Sequence, residues 1–520
     1  MPVLSKSRLL AFRQCPKRLW LEVHRPQLRQ DSSATQANFA TGHEVGDLAR
    51  RLYDLDSDGV FLDRDTLTLD QQLSRTHELL KGKQRIFEAG FRSGTSDNGV
   101  LAIADILEPA GDGQSWNMVE VKSSTSVKDY YLDDTAIQYH AASQAGVRLA
   151  SLHLAYIDSS WVYPGGGDYS GLLVEEDVTE QARSRQGEVR EWLTQAHRVV
   201  ALTGPPEREI GGHCAEPYEC SFAAYCRQEH DKRYGAVKHP IEWLPGRRSK
   251  ALSEHIAAIN ARSMRDVPDA LLNASQLRVK TQTVAGRQWF DREGAALALA
   301  TYRMPALFLD FETIAFAVPR WAGTRPYQQI PFQFSLHRLG RGGAVSHIGF
   351  LDLSGGDPSE GLARALIQSC GTNEPIFAYN KGFEGARINE LAQRFPRLRK
   401  ALEGIRDRLV DLLPVANKFY YHPAQQGSWS IKKVLPTIAP ELDYAGLEEV
   451  QDGGQAQMAY LEAVATGTSV ARRKELDERL WKYCRLDTFA MVRLWAFFAG
   501  RDNFTNSSDV ASSNRVGVGP

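Results

Sequence analysis

Hydrophobic and polar residues alternate along three short segments in the first third of the chain, QRIFEAGF, VLAIADILE and WNMVEVKSS. Each segment is bounded by Gly, Asn, Asp or Ser, so the pattern predicts three neighbouring β-strands. A helical pattern, TAIQYHAASQAG, and an apolar strand, LASLHLAYID, come next. The resulting β-β-β-α-β order indicates an α/β core. Two helices are predicted before it, one starting near Ser5 and one in FATGHEVGDLARRLY.

A second α/β pattern begins at the strongly apolar segment ALFLDFET. PFQFSLHRL and VSHIGFLDL are predicted to form two further strands, followed by a helix, the strand EPIFAYN and another helix. Near the end, ERLWKYCRLDTFAMVRLWAFF places its apolar residues at spacings of three and four, which is typical of a long amphipathic helix.

The chain length also favours two domains, because 520 residues exceed the roughly 250 to 300 that one hydrophobic core usually supports. The periodic pattern weakens in the middle of the chain, and the end is rich in Ser, Asn and Gly. We therefore predict an α/β domain over 1–230, a helical connecting region over 231–302, a second α/β domain over 303–502 and a disordered tail over 503–520.

Composition restricts the class of protein. Hydrophobic residues make up 42% of the chain and charged residues 24%, as in ordinary globular proteins. The N-terminal segment MPVLSKSRLLAFRQCPKRLW lacks the apolar stretch of a signal peptide, so we expect a cytoplasmic protein that does not bind membranes. The net charge of −1 gives no overall attraction to nucleic acid, so any polyanion would have to be held by local patches or by metal ions.

Acidic residues of the second half are spaced as ligands of a metal site. Asp310 and Glu312 lie two apart on a predicted strand and therefore share one sheet face. Tyr483 and Asp487 lie four apart on the late helix, and Glu384 follows the strand EPIFAYN. Carboxylates so close together repel one another unless a cation neutralises them, and oxygen ligands suit Mg²⁺ or Mn²⁺.

The combination of Asp-x-Glu, an acidic residue after AYN, and Tyr-x-x-x-Asp resembles the DnaQ-like exonucleases of the DEDD type, whose fold is similar to that of RNase H. The resemblance implies 3′–5′ exonuclease activity, with Asp310, Glu312, Glu384 and Asp487 as metal ligands and Tyr483 as the residue that orients water. The sequence departs from the family at Glu384, where the family usually has Asp. Arg325 and Lys432, in RPYQQIPFQ and GSWSIKK, are candidates for binding phosphates or bases, although solvated loops explain them equally well.

A second acidic motif lies in the first half. Glu120 and Lys122 are two apart on one predicted strand, and Asp105 lies on the preceding strand. Two acids could hold a metal ion while the ammonium group stabilises a phosphate, although Glu-x-Lys pairs on strands are also common for charge pairing alone.

This motif resembles the PD-(D/E)XK nuclease signature, and its surroundings are similar to the RecB-like branch. The resemblance implies that His43 is a further metal ligand and that Gln138 and Tyr139 bind substrate. The family's Gln-x-x-x-Tyr motif is only half present, because Ala142 stands where Tyr is expected.

Four cysteines mark the two ends of the same half. Cys214, Cys220 and Cys226 lie in CAEPYECSFAAYC, and Cys15 lies in QCPKRLW. Some RecB-like nucleases of CRISPR adaptation have a similar arrangement, which implies a 4Fe-4S cluster. Their Cys-x-x-Cys spacing is absent here, and four thiolates suit Zn²⁺ as well, so both remain open, with His213 as a substitute ligand. The remaining cysteines are predicted to be buried apolar residues: Cys370 and Cys484.

Taken whole, the chain resembles bacterial proteins that join a RecB-like domain to a DnaQ-like domain. The expected fold class is α/β, with a PD-(D/E)XK restriction-endonuclease-like domain followed by an RNase H-like mixed sheet. The expected function is a metal-dependent nuclease acting on DNA rather than RNA in repair, recombination or defence, and a helicase or defence-system component is a candidate partner. Two alternatives remain: a C-terminal exonuclease with a DNA-clamping N-terminal domain, and a non-catalytic nucleic-acid-binding adaptor with relic sites.

Overall fold

The computed structural model describes residues 3–94, 99–442, 444–447, 449–501 and 513–516. The described chain is a mixed α/β protein that divides into two compact units. The first unit comprises residues 1–235 and 316–327, and the second comprises residues 236–315 and 328–520.

The first unit is built on a sheet whose strand order is β2-β3-β4-β5-β6-β7, with β1 pairing with β4. β3, β4 and β5 are antiparallel neighbours, whereas β5 and β6 run parallel across α5. The predicted β-β-β-α-β order is confirmed by β3, β4, β5, α5 and β6. The strands of this unit are β1 (Leu4–Ser5), β2 (Val60–Phe61), β3 (Ile86–Ser93), β4 (Val100–Pro109), β5 (Trp116–Lys122), β6 (Leu149–Ile157) and β7 (Leu173–Asp177). Its helices are α1 (Lys6–Gln14), α2 (Pro16–His24), α3 (Ser33–Tyr53), α4 (Leu69–Leu79), α5 (Asp129–Gln144), α6 (Thr179–Ser184), α7 (Gln186–Val200) and α8 (Ala223–Tyr234).

Two local features of this unit are the start of α1 and the packing of α5. The side chain of Ser5 accepts a hydrogen bond from the backbone N–H of Arg8 and so caps α1, as the sequence predicted. α5 packs against β3, β4 and β6 and buries several small apolar residues, among them Ala142. The position at which the family motif would carry a tyrosine therefore lies within the hydrophobic core.

The second unit contains a six-stranded sheet with the order β13-β12-β9-β10-β11-β15. β9, β10 and β11 are antiparallel, whereas β12 and β13 run parallel to β9. Its strands are β8 (Trp289–Phe290), β9 (Ala306–Ile314), β10 (Ile330–Leu339), β11 (Val345–Leu351), β12 (Ile376–Ala378), β13 (Leu409–Asp411), β14 (Tyr420–Tyr421) and β15 (Ser513–Arg515). Its helices are α9 (Lys250–Ile259), α10 (Ala274–Ala285), α11 (Arg292–Leu299), α12 (Ser359–Cys370), α13 (Gly382–Arg394), α14 (Arg399–Arg406), α15 (Leu413–Phe419), α16 (Ile431–Ile438), α17 (Gly453–Val464) and α18 (Val470–Phe498). The predicted order of three strands, helix, strand and helix is confirmed by β9 to α13.

The division of the chain differs from the predicted one in two places. Residues 236–302, predicted as a connecting region, belong to the second unit, and residues 316–327, predicted inside the second domain, belong to the first unit. The predicted disorder of 503–520 falls outside the described residues apart from 513–516, where β15 pairs with β11. None of the helices in the described ranges combines the length and apolar character needed to cross a membrane.

Candidate active sites and thiol cluster

In the second unit, the central strand β9 presents Asp310 and Glu312 on one face of the sheet. The alternate residues Leu309 and Phe311 point to the other face, where they join the hydrophobic core. α17 and α18 pack against β9. This placement is consistent with the prediction that the two carboxylates share one face of the sheet.

Side chains of the neighbouring strand β10 form hydrogen bonds with helix α18, which covers the sheet face that carries Asp310 and Glu312. Gln333, paired with Glu312 across the strands, donates from Nε2 to the carbonyl oxygen of Leu480 at 3.0 Å. Ser335 is paired with Asp310, and its Oγ lies 2.6 Å from Oγ1 of Thr488 on α18. These hydrogen bonds set the height of α18 above the strand that carries the acids.

Three residues of α18 turn toward the carboxylates: Tyr483, Cys484 and Asp487, all of them buried. The Sγ atom of Cys484, one carboxylate oxygen of Asp310 and one of Glu312 all lie within 4.8 Å of one another. Cys484 was predicted to be an ordinary buried apolar residue, and the structure instead places it beside two carboxylates. Its spacing of three from Asp487, which puts both on one helix face, is the signal that could have identified it.

The four predicted acids affect one another's charge. Burial, followed by the nearby charges of Asp487, Glu312 and Glu384, raises the pKa of Asp310 well above its usual value. Burial and then Asp487 raise the pKa of Glu312 to about 8, and burial raises the pKa of Glu384 to about 8 and that of Asp487 to about 6. Without a cation, Glu312 and Glu384 therefore favour the protonated form at neutral pH, whereas Asp487 favours the charged form.

Glu384 lies in the first turn of α13 and is only 2% exposed, and its Oε2 has no hydrogen-bond partner. The start of this helix is fixed by Asp411 at the end of β13. Its carboxylate accepts hydrogen bonds from the backbone N–H groups of Asn380, Lys381 and Leu413 at 3.0 to 3.2 Å. Asp411 therefore holds the turn that precedes Glu384.

Lys432 and Tyr444 complete this site. Nζ of Lys432 donates to the hydroxyl oxygen of Tyr483 at 3.1 Å and to the carbonyl oxygen of Gln451 at 2.6 Å. The hydroxyl group of Tyr444 donates to Oδ1 of Asp487 at 2.6 Å. Lys432 was a sequence candidate for substrate binding, whereas Tyr444 had no sequence signal.

The donor set fits a divalent metal ion. A buried carboxylate oxygen without a partner is costly unless it is protonated or coordinated, and Glu384 supplies one beside three further acids. Hard oxygen ligands of this kind suit Mg²⁺ and Mn²⁺. The residues that would hold such ions are Asp310, Glu312, Glu384 and Asp487.

In the first unit, β4 and β5 bring Asp105, Glu120 and Lys122 together as the sequence predicted. Oδ2 of Asp105 accepts a hydrogen bond from the backbone N–H of Val121 at 2.7 Å. Nζ of Lys122 lies 2.6 Å from Oε1 of Glu120. Burial, and then the charge of Glu120, raises the pKa of Asp105 well above its usual value.

Two charged residues that the sequence analysis missed close this network. Nζ of Lys6, on α1, lies 2.8 Å from Oε1 of Glu120 and 2.9 Å from Oδ1 of Asp134. Nζ of Lys122 lies 2.5 Å from Oδ2 of Asp134. Lys6 and Lys122 therefore bridge the same two buried carboxylates, while Oε2 of Glu120 has no hydrogen-bond partner.

The other predicted residues of this site lie around the network. Gln138 is fully buried on α5, and its Nε2 lies 3.4 Å from Oδ1 of Asp134, whereas its Oε1 has no hydrogen-bond partner. The hydroxyl group of Tyr139 accepts a hydrogen bond from Arg183. His43 is exposed on α3, a helix that packs against β5.

The segment 316–327 belongs to the first unit and carries Arg325 there, exposed to solvent. The hydroxyl group of Tyr327 donates to the carbonyl oxygen of Ser123, the residue that follows Lys122. Tyr163 N–H donates to the carbonyl oxygen of Thr324 at 3.0 Å. Arg325 therefore lies on a segment anchored near the end of β5, not in the second unit as the sequence analysis expected.

The four predicted cysteines line one cavity of the first unit: Cys15, Cys214, Cys220 and Cys226. Burial raises the pKa of Cys226 to about 11 and, together with neighbouring thiols, raises that of Cys220. His213 also lines the cavity, with its Nε2 3.7 Å from Sγ of Cys214. Four free thiols around one cavity are a donor set typical of zinc and iron-sulfur sites, but no three of their sulfur atoms lie within 4.8 Å of one another, a spacing that suits a cluster better than a single ion.

Gln14, which the sequence analysis did not single out, holds the cysteine-containing loop against α1. Its Nε2 donates to the carbonyl oxygens of His213, Glu216 and Tyr218 at 2.7 to 3.2 Å. Because Cys15 is the next residue along the chain, the same contact fixes the N-terminal thiol relative to the three C-terminal ones.

A family model described as a domain of unknown function, DUF2779, matches residues 307–430, which include Asp310, Glu312 and Glu384. No curated protein matches the chain. A solved structure, described as the crystal structure of SSO0001, is 14% identical to this chain, with a TM-score of 0.23. That match covers 44% of this chain and 86% of the other.

Proposed function

We propose that the chain is a divalent-metal-dependent nuclease that hydrolyses phosphodiester bonds of nucleic acid, with DNA as the favoured substrate, and that its main hydrolytic site lies in the second unit. The observation that carries the proposal is the convergence of four carboxylates with a buried, unpartnered oxygen of Glu384. Such a set is unstable as four charged groups alone and suits divalent metal ions. Ions bound there would polarise an attacking water and the leaving oxygen of a phosphodiester.

The surrounding side chains suit this chemistry. Burial, followed by the charges of Asp487 and Glu312, raises the pKa of the Tyr483 hydroxyl, so that it stays protonated and can hold a water beside the acids. Lys432, 3.1 Å from that hydroxyl oxygen, brings a positive charge to the place where a phosphate would lie.

The topology supports the proposed fold families. In the second unit, three antiparallel strands followed by two strands parallel to the first are the arrangement expected of a DnaQ-like, RNase H-like sheet. In the first unit, acids on β4 and β5 beside α5 are the arrangement expected of a RecB-like PD-(D/E)XK domain. We propose these two assignments together with the nuclease activity.

Charge balance makes the second unit the stronger candidate for hydrolysis. Lys6 and Lys122 pair with Glu120 and Asp134 in the first site, where the remaining acids are Asp105 and Glu88, the latter on β3 and opposed by the charges of Arg64 and Arg50. In the second site, Lys432 opposes the charges of Glu312 and Asp487, and Arg387 opposes that of Glu384, so the four carboxylates outnumber these two cations. A first unit that binds DNA without cutting it is therefore the second candidate, and it is favoured by the lysine pairing of Glu120.

For the four thiols of the first unit we propose a 4Fe-4S cluster, with a zinc ion as the alternative. Either group would join α1 to the loop and helix α8 that carry the other three cysteines and so stabilise the unit. Thiols available for this purpose require a reducing compartment, which is consistent with a cytoplasmic protein. Visible absorption together with iron and zinc analysis of anaerobically purified protein distinguishes the two.

The test is Mn²⁺-dependent degradation of end-labelled single- and double-stranded DNA and RNA by the wild type, Asp310→Asn, Glu120→Gln and the double variant. Glu478→Gln, an exposed acid on α18, is the matched control. We expect Asp310→Asn to lower cleavage more than about 100-fold, since changes to groups that only support metal ligands already cost about 10- to 100-fold.

The Glu120→Gln variant separates the two forms of the proposal. Retained cleavage with weakened DNA binding supports a first unit that only binds, whereas residual Asp310→Asn activity that disappears in the double variant supports two hydrolytic sites. A wild type that degrades none of these substrates with Mn²⁺ or Mg²⁺ would reject the nuclease proposal in favour of a nucleic-acid-binding adaptor.

A further inference from the structure

Cys484 is a thiol placed among hard oxygen ligands. Its side chain is fully buried, it forms no disulfide, and its Sγ lies within 4.8 Å of carboxylate oxygens of both Asp310 and Glu312. A tetrahedral zinc site has a Zn–S bond of about 2.3 Å and Zn–O bonds of about 2.0 to 2.2 Å, so its ligand atoms lie roughly 3.5 Å apart. The three atoms could reach that spacing through small side-chain rotations.

A fourth side chain independently points to a ligand at the same place. Oε2 of Glu384 is buried and has no hydrogen-bond partner, although Glu384 is only 2% exposed. The residue is close enough to Asp310 for its charge to affect that carboxyl group. A buried acceptor without a donor beside two acids and a thiol is the arrangement that a cation would satisfy.

We propose that Cys484 makes this a mixed oxygen–sulfur site, in which Zn²⁺ binds more tightly than Mg²⁺ or Mn²⁺ and displaces them. Thiolate is a soft ligand that favours zinc, whereas carboxylates alone suit magnesium and manganese. On binding, the Cys484 thiol releases its proton to solvent and the sulfur coordinates the metal as a thiolate. Zinc would then act as an inhibitor of the activity proposed above, and this last step rests on that proposed function.

Cys370 provides a matched control for a merely structural thiol. It is also fully buried and free, but it packs in the hydrophobic core around α12. Substituting either cysteine with alanine removes one buried sulfur. Only the Cys484→Ala variant removes a sulfur that lies beside the acids.

The experiment uses the full chain with its four-cysteine site already loaded, so that added metal reports on the second unit. Co²⁺ replaces Zn²⁺ as a spectroscopic probe, because cobalt bound to thiolate gives a charge-transfer absorption that carboxylate ligands do not. We expect the wild type and Cys370→Ala to show this absorption with one Co²⁺ per chain, and Cys484→Ala to lack it. Competition by Zn²⁺ should weaken at least about tenfold in Cys484→Ala, while the affinity for Mn²⁺ changes less than about threefold.

Equal cobalt spectra and equal zinc affinities in wild type and Cys484→Ala would overturn the inference. Cys484→Ser keeps the test decisive if Cys484→Ala folds poorly, because serine replaces the sulfur with a smaller polar group and should likewise remove the cobalt–thiolate absorption. Thiolate-bound cobalt in a protein that cleaves no nucleic acid would uphold the site and reject the nuclease proposal. Cleavage that zinc inhibits equally in wild type and Cys484→Ala would uphold the nuclease proposal and reject the mixed oxygen–sulfur site.

Discussion

The hydroxyl group of Tyr444 lies 2.6 Å from Oδ1 of Asp487 and donates a hydrogen bond to it. Asp487 also accepts a hydrogen bond from Tyr483. Burial raises the pKa of Asp487 to about 6, and the two phenolic hydrogen bonds oppose that rise by stabilising the charged carboxylate. Tyr444 therefore both orients Asp487 and keeps it available as a ligand.

Replacing Tyr444 with phenylalanine tests this role. We expect Tyr444→Phe to fold and to weaken Mn²⁺ binding by about 10- to 100-fold, because the supporting partners of metal ligands typically matter to that extent. Calorimetric titration with Mn²⁺ measures the change. The matched control is Tyr421→Phe, which removes a buried hydroxyl that lies 2.7 Å from Thr283 rather than beside a carboxylate. A similar loss of affinity in both variants would contradict a specific role for Tyr444.

The raised acid pKa values predict how stability depends on pH. The pKa of Glu312 rises from 4.5 to about 8 on folding, so the folded state keeps a proton that the unfolded state loses. The metal-free protein should therefore lose stability as the pH rises from about 4.5 to about 8, and added Mn²⁺ should raise the unfolding temperature most at the upper end.

Thermal unfolding in chelator at pH 5 and pH 8 checks this prediction. Glu312→Gln removes the titrating group and should lessen the loss between the two pH values, whereas Glu478→Gln, an exposed acid on α18, should behave as the wild type does. An identical pH dependence in Glu312→Gln and the wild type would show that Glu312 carries no raised pKa.

The charge network of the first unit predicts a large effect of Lys6. Removing one partner from a buried ion pair typically costs about 3 to 5 kcal/mol, because the remaining charge is left uncompensated. Lys6 serves two such partners, Glu120 and Asp134, and its side chain is 21% exposed, so we expect Lys6→Met to destabilise the protein by about 3 kcal/mol.

Urea unfolding of the full chain measures this cost. Lys250→Met is the matched control, since Lys250 is a largely exposed lysine that pairs with Glu254 within one helix. A second variant, Lys6→Met with Glu120→Gln, should recover part of the loss because it removes the stranded charge. No recovery would mean that Lys6 stabilises the unit through packing alone.

The sequence predicted what depends on local periodicity and short spacing. The strands β3 to β6 and β9 to β12, the helix α18 and the shared face of Asp310 and Glu312 follow from patterns within a few residues. The four cysteines line one cavity, and the common metal site that their residue type suggests stays a prediction.

The missed residues depend on long-range packing, which leaves no local pattern. Lys6 reaches Glu120 across 114 positions of sequence, and Tyr444 reaches Asp487 across 43. The placement of 316–327 in the first unit was missed for the same reason, since the segment directly follows β9 in the chain. The burial of Cys484 was predicted correctly, but its position beside the acids was not, because a lone cysteine on an amphipathic helix is usually a packing residue.

The thiol cavity yields the last prediction. Substituting one of its cysteines should remove bound metal, because a tetrahedral site or a 4Fe-4S cluster needs all four ligands. We expect Cys226→Ser to lose at least about half of the iron or zinc of the purified protein and to unfold at a lower temperature, since metal binding and folding are linked. Cys370→Ser, in the core of the second unit, should retain the full metal content.

The raised pKa of Cys226, about 11, means that metal must displace a thiol proton, so acidification below neutral pH should release the metal from the wild type. Metal content that is equal in Cys226→Ser and Cys370→Ser, measured by elemental analysis, would show that the cavity holds neither a cluster nor zinc.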